Sequence, residues 1–571
     1  MGPAASLPPY VVGDDSLVRR SARVASATGS GVPASWRLRI GFALLTILVS
    51  LETGVPSIAA AARPSKPNVV LILADDLGFS DIGCYGGEIA TPNLDRLAAG
   101  GVRLTQMYNT ARCWPTRACL MTGYYAQQVN RDPAKQRPAW AALLPDLLKP
   151  AGYRSYHSGK WHIDGKVLAG GFDHSYSFED HDRYFTPKNH LLDDVPLPPV
   201  KPDDGYYATT AIAQHAIDFL AGHAAEHPDQ PFFLYLAFVA PHFPMHALPE
   251  DIARYRDRYL EGWDAIREQR AGRLRRAGIV DSGLSELDSQ FTPRYLKPDL
   301  LAKIGPGEIE HAVPWQQLTS EQQRFQATKM AIHAAMVDRL DREVGRVLGQ
   351  LRKLDAWENT LIVFLSDNGA DATLLVRGDG HDQSAPPGSA ESFLCLGPGW
   401  ASAANAPFRR HKIWVQEGGI ATPCILHWPA VIPSGGKLRH APSHVIDFVP
   451  TLLELAGVSS PASWGGQARP ALPGKSLVPL LKHDAAIPRE AMYWQHEGNR
   501  ALRLGDWKLV SESESANQWE LYDFKHDRIE SKNLAPLNPE RVQKMSAVWQ
   551  QMDDEFRQQA GAAKSGGLPL R

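Results

Sequence analysis

Long apolar runs along the chain end close to short polar segments, and this pattern predicts the central sheet. Three runs, at residues 67–74, 231–239 and 360–366, are continuously apolar and rich in β-branched or aromatic residues. Such runs are typical of strands buried on both faces of a parallel sheet. Residues 153–162 repeat the arrangement in a less apolar form. The pattern predicts a mostly parallel sheet whose strands deliver polar side chains to one edge.

Helical periodicity occupies much of the chain between these runs. A helix is predicted from residue 91, with Thr91 as its N-cap and Pro92 at its first position. Residues 321–354 carry an apolar stripe at helical spacing, and residues 444–457 have the pattern of an amphipathic helix. The alternation predicts an α/β fold with a mixed, mostly parallel central sheet flanked by helices.

The pattern changes after about residue 480, where short alternating pieces replace the long runs. Residues 501–504, 507–510 and 519–523 alternate with a period of two, and a polar helical pattern follows at 539–559. These pieces predict a small antiparallel sheet closed by a helix. We therefore expect a disordered N-terminus with an export signal at 1–62, a main domain at 63–480 and a C-terminal subdomain at 481–571.

Composition narrows the class of protein only modestly. The chain has 571 residues and a formal net charge of −2, so its charge indicates no nucleic-acid partner. Five cysteines are too few for a disulfide scaffold, and their pairing is not readable from the sequence. A basic stretch at residues 267–276 has helical character. We expect a solvated helix face there, and a substrate-facing insertion is the alternative.

The N-terminus has the pattern of an export signal. Arg37 and Arg39 precede an apolar run at residues 40–51, and residues 57–62 offer small-residue cleavage sites. The run is too short to span a bilayer comfortably. The sequence therefore predicts an exported protein, periplasmic or secreted, without a stable membrane span. An uncleaved membrane anchor is the alternative.

Oxygen ligands follow two of the predicted strands. Asp75 and Asp76 come directly after the first strand, and Asp367 and Asn368 follow the run at 360–366. Adjacent buried carboxylates repel each other unless a pKa is raised or a cation is bound. Oxygen-only ligands favour a hard ion such as Ca²⁺ or Mg²⁺. We expect these four residues to form one cation site at the sheet edge.

A cysteine, a proline and an arginine lie together at the start of another predicted helix. The segment reads Cys113-Trp-Pro-Thr-Arg117-Ala and runs on to Met-Thr-Gly. Cys113 and Arg117 are therefore expected near a helix N-terminus, where anions are favoured. A half-buried free thiol beside an unrelated arginine is the alternative.

Four further cationic or titratable side chains occupy comparable places. Lys160 and His162 end the strand-like stretch before them and, at a period of two, point to the same side. His242 lies between two prolines that hold the backbone rigid after the second apolar run. Lys412 lies five residues before a Glu-Gly-Gly turn. Each is ordinary alone, but together they bring positive charge and imidazoles to the carboxylates.

These segments match those of a known family in the same order. The pattern Cys-x-Pro-Thr-Arg-Ala-x-x-x-Thr-Gly at Cys113 closely resembles the signature of the formylglycine-dependent sulfatases, which are arylsulfatase-like members of the alkaline phosphatase superfamily. Thr116 stands where many members have Ser. The resemblance runs from about residue 68 to 457 and more loosely beyond. It implies an alkaline-phosphatase-like fold, with residues 63–480 as the sulfatase catalytic domain.

The resemblance implies a sulfuric ester hydrolase that acts on sulfate monoesters, either aryl sulfates or sulfated carbohydrates. In this family a formylglycine-generating enzyme oxidises the cysteine to Cα-formylglycine, whose hydrate is the nucleophile. Carried over to this chain, the modified residue is Cys113. The resemblance also implies a divalent cation, usually Ca²⁺ rather than Mg²⁺, with the ligands Asp75, Asp76, Cys113, Asp367 and Asn368.

The same resemblance implies roles for the remaining site residues. Arg117 holds the formylglycine oxygens, and Lys160 and Lys412 bind sulfate oxygens. His162 is the base for the step that releases sulfate. His242, helped by Lys412, is the acid that protonates the leaving oxygen.

Three other functions stay open on the sequence. A formylglycine-dependent phosphonate monoester or phosphodiester hydrolase needs nearly the same residues. A non-catalytic binder of sulfated glycans would use the basic residues 267–276 or 409–412 and would not need Cys113. A phosphatase with Thr116 as its nucleophile is disfavoured, since Zn²⁺ ligand clusters are not evident.

Overall fold

The computed structural model describes residues 66–515 and 518–561, and the predicted export signal lies outside these residues. The strands are, in chain order, β1 (Asn68–Ala74), β2 (Val102–Leu104), β3 (Met107–Tyr108), β4 (Arg154–Gly159), β5 (His174–Phe178), β6 (His190–Leu192), β7 (Val195–Pro196), β8 (Phe232–Ala237), β9 (Thr360–Ser366), β10 (Ala421–Thr422), β11 (Cys424–His427), β12 (Lys437–Arg439), β13 (Ser443–His444), β14 (Ser463–Trp464), β15 (Gln467–Ala468), β16 (Met492–His496), β17 (Asn499–Leu504), β18 (Trp507–Ser511) and β19 (Glu520–Asp523). The helices are α1 (Pro92–Gly100), α2 (Cys113–Thr122), α3 (Leu144–Leu148), α4 (Ala208–Glu226), α5 (Pro249–Ala253), α6 (Gly262–Arg276), α7 (Leu300–Ile304), α8 (Ser320–Lys353), α9 (Gly397–Ala404), α10 (Glu417–Ile420), α11 (Phe448–Ala456), α12 (Val478–Lys482) and α13 (Pro539–Gln559).

The central sheet has ten strands within the described residues, in the order β12-β2-β11-β9-β1-β8-β4-β5-β6-β7. The middle strands β9, β1, β8, β4 and β5 run parallel to one another. Antiparallel pairs occur towards both edges, between β11 and β9 and between β5 and β6. The predicted mixed, mostly parallel sheet is therefore confirmed.

The register of the middle strands aligns their carboxyl ends. Ala74 of β1 pairs with Ser366 of β9, and Leu73 pairs with Ala237 of β8. Ala237 pairs in turn with Gly159 of β4. Because all four strands end at this level, the residues that follow them emerge side by side.

The longest helix, α8, agrees closely with its predicted range. It starts after Thr319, whose hydroxyl accepts a hydrogen bond from the amide of Gln322 in a capping box. The predicted apolar stripe of this helix is fully buried. The amphipathic helix predicted from residue 444 begins instead at Phe448, since Val445–Asp447 forms a 3₁₀ turn. Among the described residues, the structure contains no helix that combines the length and apolarity needed to cross a bilayer.

Helix α6 matches the expectation of a solvated basic face only in part, since Arg275 and Arg276 are exposed but two other arginines are not. Arg267 and Arg270 are buried. The guanidinium of Arg270 donates to Asp81 Oδ1 and to both carboxylate oxygens of Glu88, each at 2.8 Å. Charge alone misled the prediction for these two residues: buried carboxylates distant in sequence are the partners of Arg270, and the carbonyl of Ser285 accepts from Arg267 at 2.7 Å.

The last part of the chain forms the predicted antiparallel sheet, in the order β16-β17-β18-β19, with α13 beside it. Buried charges join this sheet to the residues before it. Glu417 of α10 accepts hydrogen bonds from Lys508 Nζ of β18 at 3.2 Å and from Arg528 Nε at 2.8 Å. Trp494 of β16 donates its indole N–H to the carbonyl of Asn109 at 2.8 Å.

Candidate active site

The predicted site residues lie together where the middle strands end. Asp75 follows β1, Asp367 follows β9, and Lys160 follows β4; all three are fully buried. His242 lies in the loop after β8 and is also buried. The aligned strand ends therefore bring residues from four distant parts of the chain into one cluster.

Each carboxylate in this cluster is paired with a buried cation. Lys160 Nζ lies 2.6 Å from Asp75 Oδ2, and Lys412 Nζ lies 2.7 Å from Asp76 Oδ1. Arg117 donates to Asp367 Oδ2 through Nε at 2.9 Å and Nη2 at 2.7 Å. This pairing reduces the repulsion among the carboxylates.

Asp76 lies at the centre of the acidic group. Its backbone adopts a left-handed conformation, with φ of 66°. The Asn368 amide donates from Nδ2 to Asp76 Oδ1 at 2.6 Å. The carboxylate also lies 3.7 Å from His242 Nε2. The Asp76 carboxylate therefore lies between Asn368, which follows β9, and His242, which follows β8.

The carboxylates of the site differ in pKa. Burial acts to raise the pKa of Asp75, but Lys160, His242 and Arg117 outweigh it and hold that pKa well below its usual value. Burial raises the pKa of Asp76 well above its usual value, against the opposing charge of Lys412. Burial and the charge of Asp75 raise the pKa of Asp367 to about 7. The raised pKa values of Asp76 and Asp367 mean that their ionised forms are unfavourable in this buried site, and a bound cation would stabilise those forms.

The residues present fit a hard cation. Asp75, Asp76 and His242 each offer a ligand atom, and these atoms lie within 4.8 Å of one another. Asp75 Oδ1 and Asn368 Oδ1 are buried oxygens that lack a hydrogen-bond partner among the described residues. Carboxylate and amide oxygens of this kind suit Ca²⁺ or Mg²⁺. His242 was not a predicted ligand, whereas the predicted ligands Cys113 and Asp367 lie outside this closest group.

Cys113 is the first residue of α2 and is buried. Burial acts to raise the pKa of its thiol, but Lys160 and Lys412 lower it below the usual value. Arg117 lies one turn further along the helix, and its Nη1 donates to the carbonyl of Lys160 at 2.8 Å. The predicted position of Cys113 at a helix N-terminus agrees with the structure, and three buried cations surround this end of the helix.

Two neutral imidazoles flank the cluster. Burial and the nearby charges of Lys160 and Arg117 lower the pKa of His162 to about 2. Burial and Lys412 likewise hold the pKa of His242 well below its usual value. Strand β4 ends at Gly159, and His162 follows with φ of 54°, so the expected period of two does not position it. A turn places it instead.

Two residues of the site were missed in the sequence. Asp371 Oδ2 lies 3.0 Å from Lys412 Nζ, so this lysine lies between two carboxylates. The ring of His181 lies 5.5 Å from that of His162 and 6.5 Å from that of His242. Asp371 follows Asn368 closely enough to have been noticed. His181 lies in a loop that carries no pattern of its own.

The structure also bears on the alternatives left open. Thr116 is buried, and its hydroxyl lies 3.1 Å from the amide nitrogen of Thr110 and 2.8 Å from the Thr110 hydroxyl. The Thr116 hydroxyl is therefore buried and engaged with Thr110, which is unfavourable for a nucleophile. The five cysteines of the chain are all free in the described residues. A groove of about 1220 Å³ lies elsewhere, lined by residues such as Phe185 and Leu260 and by none of the predicted site residues.

Comparison with known proteins defines the family. Residues 67–458 match the sulfatase family model, and residues 409–560 match a model described as the C-terminal part of N-sulphoglucosamine sulphohydrolase. The chain therefore belongs to the sulfatase family, whose members are sulfuric ester hydrolases.

Curated relatives cover most of the chain. An uncharacterized sulfatase of Schizosaccharomyces pombe is 32% identical over 86% of this chain and 93% of its own length. The arylsulfatase of Klebsiella aerogenes is 32% identical over 70% of this chain and 89% of its own. N-acetylglucosamine-6-O-sulfatase of Bacteroides thetaiotaomicron is 26% identical over 84% and 85%.

Solved structures share the fold. Ps i-CgsB, solved in complex with k-i-k-neocarrahexaose, has a TM-score of 0.60 and 24% identity over 88% of this chain and 95% of its own. A protein solved with its substrate D-glucosamine-2-N,6-O-disulfate has a TM-score of 0.59 and 23% identity over 87% and 98%. The predicted alkaline-phosphatase-like fold is confirmed.

Proposed function

We propose that this sulfatase hydrolyses sulfate monoesters through Cα-formylglycine made from Cys113, with a bound divalent cation. One observation carries the proposal. Cys113 begins a helix at the edge of the sheet, close enough to two buried lysines for their charges to lower its pKa. A sulfate ester is an anion that water attacks poorly, so its site has to supply a strong nucleophile and fixed positive charge. The Cys113 environment supplies the charge.

The lysines and the arginine bind and orient the anion. Lys160 and Lys412 are held by Asp75 and Asp76, so their ammonium groups are fixed before substrate arrives. Arg117 is held by Asp367 beside Cys113. Positive groups fixed in this way stabilise the charge of the transition state without reorganising during the reaction.

The cation would be held by Asp75, Asp76, Asp367, Asn368 and the residue made from Cys113. Sulfatases typically use a metal ion, and the oxygen donors favour Ca²⁺, with Mg²⁺ less suited. When bound, the cation would supply a Lewis acid, and the hydrated aldehyde would supply one hydroxyl as the nucleophile and a second hydroxyl whose deprotonation expels the sulfate.

The histidines move protons. We assign to His162 the base that assists release of sulfate; its pKa is low in the free site, and a sulfate group bound nearby would raise it, because a nearby anion favours the protonated imidazole. His242 is assigned the acid for the leaving oxygen. Its pKa is low in the free site, and a sulfate ester bound beside it and Lys412 would raise that pKa, because a nearby anion favours the protonated imidazole.

Maturation and location complete the proposal. A formylglycine-generating enzyme is the partner that modifies Cys113. The N-terminal signal directs the protein to the periplasm or the exterior. The substrate is an aryl sulfate or a sulfated carbohydrate, in agreement with the names of the curated relatives.

Hydrolysis of a simple aryl ester tests the reaction class. Protein co-expressed with a formylglycine-generating enzyme and supplied with Ca²⁺ is expected to release sulfate from 4-nitrophenyl sulfate. Cys113→Ala should lower that rate by at least roughly 10³-fold, because it removes the nucleophile. A kcat/KM higher for the matching phosphodiester or phosphonate monoester would favour that hydrolase class instead. Activity that survives in Cys113→Ala would overturn the proposed mechanism.

A further inference from the structure

Arg112, directly before Cys113, is a cation with unused hydrogen-bond donors. Its Nε and Nη1 are buried and have no partner among the described residues. Other buried arginines near the sheet edge are paired with carboxylates, as Arg117 is with Asp367 and Arg270 is with Asp81. Arg112 as a whole is only partly buried, but two buried donors without partners are unfavourable for the free protein and are suited to a ligand.

The nearby carboxylates are already engaged elsewhere. Asp371 lies 3.0 Å from Lys412 Nζ and accepts from the amide of Thr373 at 2.8 Å. Glu497 contacts Arg294 Nη1 at 2.8 Å and accepts from the Tyr295 hydroxyl at 2.9 Å. Two carboxylates therefore lie near the Arg112 guanidinium, but neither accepts a hydrogen bond from its Nε or Nη1.

Arg112 is charged in this position. Burial acts to lower its pKa, but the nearby Cys113, Asp371 and Glu497 raise it above the usual value. Arg112 is the N-cap residue of α2 and directly precedes Cys113, the proposed nucleophile. The donors therefore lie beside the reacting group and not in a remote part of the molecule.

Trp114 positions this cation and adds a flat apolar surface. The Arg112 guanidinium lies 5.0 Å from the centre of the Trp114 ring. That ring lies 5.8 Å from His162 and 5.5 Å from His496. Its indole Nε1 is buried and also lacks a hydrogen-bond partner among the described residues. An aromatic face with a donor at its edge suits the ring of an organic substrate.

We propose that Arg112 and Trp114 form a subsite for the alcohol part of the ester, and that this part carries a second anionic group. The substrate class is then a sulfate monoester of a ring alcohol that also bears a carboxylate or another sulfate. The guanidinium binds the second anion with two donors, and Trp114 packs against the ring. This inference rests on the proposed function, because it assigns a partner to the substrate of that same site.

The scissile sulfate does not need Arg112. Lys160 and Lys412 already bring positive charge to Cys113, and each is fixed by a carboxylate. If Arg112 served that sulfate, its loss would affect all sulfate esters equally. A role in binding a second anion predicts instead a loss confined to substrates that carry one.

Paired aryl sulfates separate these roles. The probes are 3- and 4-carboxyphenyl sulfate, each compared with the carbamoylphenyl sulfate of the same substitution. In the wild-type protein we expect kcat/KM to favour at least one carboxylate over its amide by about 10- to 100-fold, the range of a charge-assisted hydrogen bond. Arg112→Met should bring that ratio close to one, and Arg112→Lys should restore part of it. Arg324→Met, which removes an exposed arginine of α8, should leave the ratio unchanged.

A binding measurement gives a second readout that needs no turnover. Calorimetry of 3-sulfobenzoate and 3-carbamoylbenzenesulfonate, which are not sulfate esters, should show tighter binding of the carboxylate in the wild-type protein and equal binding in Arg112→Met. Equal ratios in the wild-type and Arg112→Met proteins, by both measurements, would overturn the second-anion subsite while leaving the sulfatase reaction intact. Absence of hydrolysis for every ester would instead overturn the proposed function, and this inference with it.

Discussion

At the scale of single residues, Lys412 places one ammonium group between two carboxylates of the site. Its ammonium group lies 2.7 Å from Asp76 and 3.0 Å from Asp371, and it is buried. Burial acts to lower its pKa, but the two carboxylates raise it above the usual value. The side chain is therefore a permanent cation that both neutralises Asp76 and faces the anion site.

Replacing Lys412 should reduce catalysis more than folding. Lys412→Met is expected to lower kcat/KM for 4-nitrophenyl sulfate by roughly 10²- to 10³-fold, as the loss of one fixed donor does in other enzymes. Lys412→Arg keeps the charge and should retain more of the rate. Steady-state kinetics measures the change, and circular dichroism checks the fold. A folded Lys412→Met protein with wild-type kinetics would contradict this role.

Asp81 gives a pH-dependent test of stability. Burial acts to raise its pKa, but His333 and Arg270 lower it to about 2 in the folded protein. An unfolded Asp has a pKa of about 3.9, so the stabilisation is present above about pH 4 and is lost as the pH falls towards 2. It amounts to roughly 2–3 kcal/mol. Thermal midpoints of wild type and Asp81→Asn should differ at pH 7 and approach each other near pH 3.

An exposed carboxylate is the control for this experiment. Asp379 contacts Arg183 and Lys188 at the surface, where ion pairs contribute about 0–1 kcal/mol. Asp379→Asn should change the thermal midpoint little at either pH. An Asp81→Asn midpoint that differs from wild type by the same amount at pH 7 and pH 3 would contradict the account of Asp81.

Several of the residues that the sequence identified follow strands or begin helices. Asp75 and Asp367 could be found because a long apolar run stops directly before a polar side chain. His181 could not be found in this way, and Arg112 was not singled out although it lies at the start of α2. Their importance comes from distances to other chain segments and from missing partners, which only a three-dimensional arrangement defines.

At the scale of elements, buried charges join the C-terminal sheet to the rest of the protein. Glu417 of α10 contacts Lys508 of β18 and Arg528, and Arg528 also donates to the carbonyl of Thr105 at 2.7 Å. All three charged side chains are buried. Because burial shields these side chains from solvent, the folded protein is stable only if all three stay paired with opposite charges.

Removing the shared carboxylate should therefore destabilise the protein. Glu417→Gln leaves Lys508 and Arg528 with less opposing charge, and breaking a buried pair of this kind typically costs about 3–5 kcal/mol. We expect a clearly lower thermal midpoint. Glu555→Gln, on the exposed side of α13, is the control and should melt as the wild type does. Equal midpoints for both variants would show that the buried set does not anchor the sheet.

Elements with a strong period were predictable, and those decided by tertiary contacts were not. The stripe of α8 and the alternation in β17 and β18 are properties of short segments. Strands β10 and β11 are separated by one residue, yet they belong to different sheets. Helix α6 looks solvated because its partners, Asp81 and Glu88, lie far away in the sequence.

At the scale of the whole molecule, the site exists because the parallel strands of the sheet end at one level. Carboxylates that would repel one another are held together there by the fold, which makes cation binding and stability interdependent. The predicted boundary between the main domain and the C-terminal subdomain, at residues 480 and 481, stays a prediction.

Loss of the cation should therefore lower stability. Ca²⁺ at about 100 times its Kd would stabilise the folded protein by roughly 2.7 kcal/mol. Chelation should lower the thermal midpoint, and added Ca²⁺ should restore it. Asp76→Asn should weaken this response, whereas Asp379→Asn should keep it. A midpoint indifferent to both chelator and Ca²⁺ would contradict the assigned cation site.

The mass of the peptide that spans Cys113 tests the central claim most directly. The protein is co-expressed with a formylglycine-generating enzyme, and the peptide is compared with its unmodified thiol form. Conversion of the thiol to the aldehyde should lower the mass by about 18 Da. That result would identify the residue on which the proposed reaction depends. An unmodified thiol under these conditions would contradict the formylglycine mechanism.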